Sequence, residues 1–256
     1  MDVFWAAPPV SRTLTALTFV QSALVYGGAL SGYHVVFLPR NLLKLPPQIW
    51  RLASPFLLTG PQISFIFDLY FMYHYGTALE TSSPRFSRPG DFLTYVVFVA
   101  STILLTAGCY LGGVIFTSAL ILAFAYTYAQ DNRGKKVMFF IVQIPVEYLP
   151  WAMLTMTLVM GGWPAALNES MGIVAAHLYD FLTRIYPTFG GGRNYITTPT
   201  FMHRLFNTNT VPTGNRSYRT AYRTPQPSQA SSGRGWTSSI QNPWGSRGAG
   251  RRLGGD

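Results

Sequence analysis

The chain has 256 residues, of which 48% are hydrophobic and only 11% charged, a low charge content for a soluble domain of this length. Its formal net charge is +10 and its mean hydropathy +0.20, but the averages hide a change near Gly190: apolar stretches with scattered charges come before it, and polar sequence rich in Arg, Ser, Gly and Thr comes after. The single Cys109 excludes an internal disulfide, no Cys/His spacing points to zinc, and neither a structural metal nor a cofactor is expected.

The apolar runs, in chain order, are Leu14 to Val36, Pro61 to Ala78, Phe92 to Cys109, Val114 to Ala129, Val137 to Met160 and Met171 to Ile185. Most approach the ~20 residues with which a helix crosses a bilayer, so the expected fold is an all-α membrane protein of about six transmembrane helices, several of them short. Residues 1–12 lack the basic start and apolar core of a cleavable leader, and the first run is expected to act as the insertion signal. The division predicted is a membrane domain over 1–190 and a polar tail over 191–256, disordered in isolation because it has no apolar periodicity.

Lys and Arg set the orientation, because cytosolic connections retain positive charge. Arg85 and Arg88 follow the second run, Arg133, Lys135 and Lys136 follow the fourth, and Arg193, Arg204 and Arg216 lie in the tail. All fall on one side if the spans alternate. The connections at Leu111-Gly112-Gly113 and from Gly161 to Ser170 carry no Lys or Arg and are expected opposite, which puts both termini in the cytosol. The first long connection is the exception. It holds Arg40, Lys44 and Arg51 among Pro39, Pro46, Pro47, Trp50, Leu52 and Phe56, a composition suited to the bilayer interface.

Ionisable and polar groups inside apolar runs are costly and mark function or pairing. Asp68 and His74 fall in the second run, and Gln143 and Glu147 in the fifth. Gly172 and Ala176, four apart, make a flat strip for close helix packing, with a substrate-contacting face as the alternative. Trp50 and Arg51 suit an interfacial anchor. Arg interleaved with Tyr218, Tyr222 and Trp236 in the tail is compatible with RNA or anionic lipid, but the chain has no nucleic-acid module, and no nucleic-acid function is expected.

A six-span chain with Trp50-Arg51 in its first connection and Ala176-His177 in its last span resembles the rhomboid superfamily of intramembrane serine proteases. In that family the nucleophile of the fourth span lies in Gly-x-Ser-Gly, opposite a histidine of the sixth. Here the fourth run reads Val114-Ile115-Phe116-Thr117-Ser118-Ala119, with hydroxyls but without the glycines, and Thr117 aligns at the nucleophile's place. The expectation is a broken dyad, with His177 a packing or hydrogen-bonding residue.

Segments in order carry the resemblance further: Trp50-Arg51, YFMYHYGTALE over Tyr70 to Glu80, Arg88 to Phe92, YAQDNR over Tyr128 to Arg133, Tyr148 to Trp151, GIVAAHLY over Gly172 to Tyr179, and GGRNYITTPTF over Gly191 to Phe201. Together these resemble the Derlins, rhomboid-like pseudoproteases of endoplasmic-reticulum-associated degradation. Two positions depart from that pattern: Ala176 stands where a glycine is usual, and Asp180 follows Tyr179 where the family is aromatic. Asp180 is expected to face water near a helix end. The chain's end, Asn242 to Gly254, resembles the SHP box that binds the hexameric AAA+ unfoldase of the ubiquitin system, with Gly248, Gly250, Leu253 and Gly254 at matching positions and Trp244 as an upstream aromatic. Such glycines let an extended backbone lie along a sheet edge while Leu253 fills a pocket.

The resemblance implies a non-catalytic factor of the endoplasmic reticulum membrane that moves misfolded proteins to the cytosol. It would use a lateral gate between spans two and five, lined by Asp68, His74, Gln143 and Glu147, and a thinned bilayer. Implied partners are the unfoldase, a membrane ubiquitin ligase complex and misfolded substrates, with homo- or hetero-oligomers left open. An active intramembrane protease and a passive scaffold are the competing classes.

Overall fold

A computed structural model describes residues 7–42, 48–139, 142–189, 196 and 198–206. Helices dominate it. They are α1 (Pro9–Tyr26), the short α2 (Gly32–Val35) and α3 (Pro39–Leu42), α4 (Ile63–Ser82), α5 (Pro89–Ile103), α6 (Thr117–Asp131), α7 (Leu149–Asp180), α8 (Tyr186–Phe189) and α9 (Thr200–Leu205). One antiparallel pair, β1 (Lys136–Phe139) and β2 (Val142–Pro145), separates α6 from α7.

Local chemistry sets the ends of these helices. α1 opens on Pro9, whose missing N–H is no loss at a first helical position, and stops at Gly27-Gly28, where Gly28 takes φ +77°. The helix thus ends at Tyr26, well before Val36, to which the apolar run was expected to continue. α5 opens on Pro89 and runs on through a π-helical segment, Leu104–Tyr110. Together they form the one helix among the described residues that is long and apolar enough to cross a membrane. α7 holds the second part of the fifth expected span and most of the sixth. Gly162, at φ 76° and ψ −179°, breaks it into two halves that run in opposite directions past α6, and Pro164 starts the second half.

The fifth run departs most from expectation. Half-buried Val137 and Phe139, with Ile144 opposite Val137, alternate with exposed Lys136, Met138 and Gln143, and this period of two forms the hairpin in place of a helix. α7 begins only at Leu149. Gln143 and Glu147 therefore lie outside the long helix, in β2 and the following 3-10 turn, and both are exposed.

α6 sits at the centre, with an almost continuous buried sequence from Ala119 to Ala125. α1 runs antiparallel to α4: Thr18 meets Met72, and Tyr26 and Phe19 meet Phe65 near the other end. α5 runs antiparallel to α6, with Tyr95 donating to the carbonyl of Ala123 (3.0 Å) and paired with Thr127 (2.7 Å). The second half of α7 runs parallel to α6, since Gly172 lies at Ala119 and His177 at Tyr126. A Cβ added to Gly172 would overlap the carbonyl oxygen of Ala119, so this crossing requires glycine.

Packing continues past the boundary expected at 190. Thr198 donates to Asp91 (2.7 Å), Met202 is buried against Thr94, and Ile196 and Phe206 pack on the core. Substitution of Gly172 by Ala is expected to force α6 and α7 apart at a cost of about 1–3 kcal/mol, the range for overpacking a close interior contact. A fall in Tm of the detergent-purified protein would check it, with Ala176→Gly as a control that leaves the crossing in place.

Candidate functional site

The described parts of the connection between α1 and α4 hold only short helical turns, so many of their carbonyls need donors from side chains. Arg51 supplies several. Its side chain is fully buried, Nη1 donates to the carbonyls of Tyr33 (2.9 Å) and Val36 (2.6 Å), and Nε donates to Oε1 of Gln48 (2.5 Å). The guanidinium also lies 5.3 Å from the centre of the Tyr33 ring. Carbonyl dipoles and an aromatic face thus surround the cation, and none of the ion pairs among the described residues includes it. Trp50 is half exposed, with Nε1 donating to the carbonyl of His34 (3.3 Å).

Neighbouring elements hold the rest of this connection. Ser54 donates to Val35 (2.7 Å), and from α1, Gln21 donates to Ser54 (2.7 Å), Ser22 to Leu57 (3.2 Å) and Tyr26 to Thr59 (2.5 Å), all at backbone carbonyls. From α6, Thr117 donates to the carbonyl of Leu58 (2.6 Å).

That last bond decides what Thr117 can do. Its hydroxyl is fully buried and points into the first connection. His177 is exposed, and its Nδ1 lies 3.1 Å from the hydroxyl of Tyr126. Tyr126 is more than two helical turns beyond Thr117, roughly 13 Å of rise at 1.5 Å per residue. The hydroxyls at the head of α6 and the imidazole therefore occupy different levels of the bundle, and no nucleophile–base pair forms between them.

The polar residues assigned to a gate are not brought together as a group. Asp68 is half-buried near the start of α4 and accepts the amide of Gly60 (3.2 Å). His74 is exposed and stacked on Tyr70, with ring centres 5.7 Å apart and planes 7° off parallel. Gln143 and Glu147 lie away in the hairpin and turn. The carboxylate that does approach Asp68 is Glu169, in the stretch from Gly161 to Ser170 expected to be a connection. It is helical beyond the Gly162 break, and Glu169 is only 4% exposed. Glu169 is hydrogen bonded with Thr157 of the first half of α7, Asp68 acts on it through space, and its Oε2 is buried with no donor.

Asp180, expected to face water, is instead largely buried in an ion cluster. Arg85 reaches Asp180 (2.7 Å) and Asp131 (2.5 Å), Ser83 donates to Asp131 (2.5 Å), and Arg184 lies 3.5 Å from Asp180. The cluster ties the chain after α4 to the ends of α6 and α7. At the same end of the molecule Glu80 accepts the amides of Val10 (3.0 Å) and Ser11 (2.7 Å) at the start of α1. Among the described residues there is no group of three or more potential metal ligands. The motif residues Trp244, Gly248, Gly250, Leu253 and Gly254 lie outside the described residues.

A family model described as Der1-like family matches residues 7–200. Derlin-1 of Homo sapiens is 34% identical over 208 residues, which cover 79% of this chain and 81% of that protein. Derlin-1 of Pongo abelii matches with the same identity and coverage, and Derlin-1 of Arabidopsis thaliana is 29% identical over 207 residues, 80% of this chain and 76% of that protein.

Replacing Arg51 by Met removes from a fully buried side chain its hydrogen bonds to Gln48 and to the carbonyls of Tyr33 and Val36, each bond to a charged group being worth about 1.5–3 kcal/mol. Thermal unfolding and limited proteolysis are expected to show a lower Tm and faster cleavage between Gly27 and Gln62, whereas Trp50→Phe, which loses one long exposed bond, changes Tm little.

Proposed function

We propose, from the premise that this chain belongs to the Der1-like family, that it is a non-catalytic factor of endoplasmic-reticulum-associated degradation which assists retrotranslocation of misfolded proteins. The observation that carries the proposal is the commitment of Thr117. In a rhomboid-type protease the group at that place must be free to attack a carbonyl carbon, and here the hydroxyl is bound to a carbonyl oxygen of the chain's own first connection.

The body spans the membrane six times in this proposal, counting α1, α4, α5, α6 and the two halves of α7. Their alternating directions gather Arg85, Arg133, Lys135, Lys136 and Arg184 toward one end, which the preference of cytosolic segments for positive charge assigns to the cytosol, with both termini there. Exposed Leu17, Val20, Ile66, Val97, Leu105 and Val159 face lipid. Substrate enters laterally between α4 and the first half of α7. Close backbone packing of α4 is with α1 and α6 and hardly with α7, which supports a crevice there. Short helices such as α6 thin the surrounding bilayer and lower the barrier to a polar polypeptide. The tail motif at Gly248, Gly250, Leu253 and Gly254, with Trp244, recruits the AAA+ unfoldase that supplies the energy, and a membrane ubiquitin ligase complex works alongside it.

The test is the half-life of a misfolded membrane substrate in cells whose only copy is a variant. Ser118→Ala with His177→Ala is expected to leave the half-life unchanged, and Gly250→Ala with Leu253→Ala to lengthen it several-fold. A stalled substrate with the first pair, in a protein of unchanged Tm, would restore the protease alternative, and a normal half-life with the second would remove the unfoldase from the tail.

A further inference from the structure

Glu169 has an unusual position. It lies on the second half of α7, is hydrogen bonded with Thr157 on the first half across the Gly162 break, and has Asp68 of α4 within electrostatic range. It is 4% exposed, and Oε2 has no hydrogen-bond donor. The amide of Gly60 reaches Asp68, and no Lys, Arg or His forms an ion pair with either carboxylate among the described residues. Two neighbouring carboxylates without a cation, one of them almost wholly buried, on helices with little close backbone packing between them, form a receptor that lacks its donor.

We propose that Glu169, with Asp68, receives the ammonium or guanidinium of a Lys or Arg carried into the bilayer by a misfolded membrane segment. The inference rests on the translocation function above and names a substrate class for it. An intact membrane span seldom carries an unpaired cation in its apolar stretch, because the charge is costly there, whereas a span that has lost its partner helix exposes one. A cation arriving at Glu169 favours its ionised carboxylate, so that two groups costly to bury as lone charges are accommodated as a pair. Asp68, the more exposed of the two, is the first contact, and Glu169 the deeper one. Thr157 holds the other Glu169 oxygen, so that arrival of a cation is felt on both halves of α7.

The experiment uses the full-length protein in microsomes and a model single-span substrate of about twenty Leu and Ala residues, carrying Lys or Leu at one position in its lumenal third. The captured fraction is measured after crosslinking. The wild type is expected to take the Lys span roughly fivefold more than the Leu span, and Glu169→Gln to bring the ratio within about twofold, with Glu169→Asp keeping most of it. Moving the Lys to the cytosolic third should abolish the preference in the wild type, a comparison that needs no variant to fold. Equal capture of Lys and Leu spans by the wild type, or an undiminished preference in Glu169→Gln, overturns the inference while leaving translocation intact. Capture of neither span by the wild type overturns the translocation function as well.

Discussion

Away from water, every backbone carbonyl needs a donor, and the first connection of this chain is long, holds only short helical turns and is packed against α1 and α6. Much of the surrounding structure follows from that need. Arg51 turns inward to meet Tyr33 and Val36, α1 places Gln21, Ser22 and Tyr26 along the same path, and α6 begins with a threonine whose hydroxyl reaches Leu58. A hydroxyl can be a poised nucleophile or a satisfied structural donor, but it cannot be both. At the head of α6 the loop has taken the hydroxyl, and the histidine of α7 is left to a tyrosine on the outer face.

The opposite end of the bundle is held by charge. Arg85 lies between Asp131 and Asp180, with side-chain exposures of 9%, 5% and 15%, so these pairs are shielded from the solvent that weakens surface salt bridges. The centre of the bundle is apolar, with Phe92, Tyr95 and Phe124 in mutual contact and Tyr179 against Tyr95. One end is thus sealed by neutral carbonyls, the other by ion pairs, and glycine at 172 lets α7 lie against α6 between them.

Much of this was legible in the chain itself. The order of short segments identified the family, and Gly172 signalled a close helix crossing. The hairpin was hidden because Val137 to Met160 reads as one apolar run unless its first part is tested for a period of two. Glu169 was missed because Asn, Glu and Ser close after Gly-Gly-Trp-Pro look like loop composition, and only the break at Gly162 shows that the chain resumes as helix. Asp180 and Glu80 find their partners 95 and 69 to 70 residues away, separations at which no local periodicity carries information.

Glu80 also bears on the order in which the molecule is assembled. An acidic side chain in the last turn of a helix is unfavourable beside exposed carbonyls, and the first amides of a helix are unfavourable without an acceptor. Each defect is corrected by the other where Glu80 meets Val10 and Ser11. During synthesis the start of α1 emerges long before Glu80 does, so the first helix waits with open amides until α4 has entered beside it. The two helices then mature as a pair, and a chain halted between them presents an uncapped end.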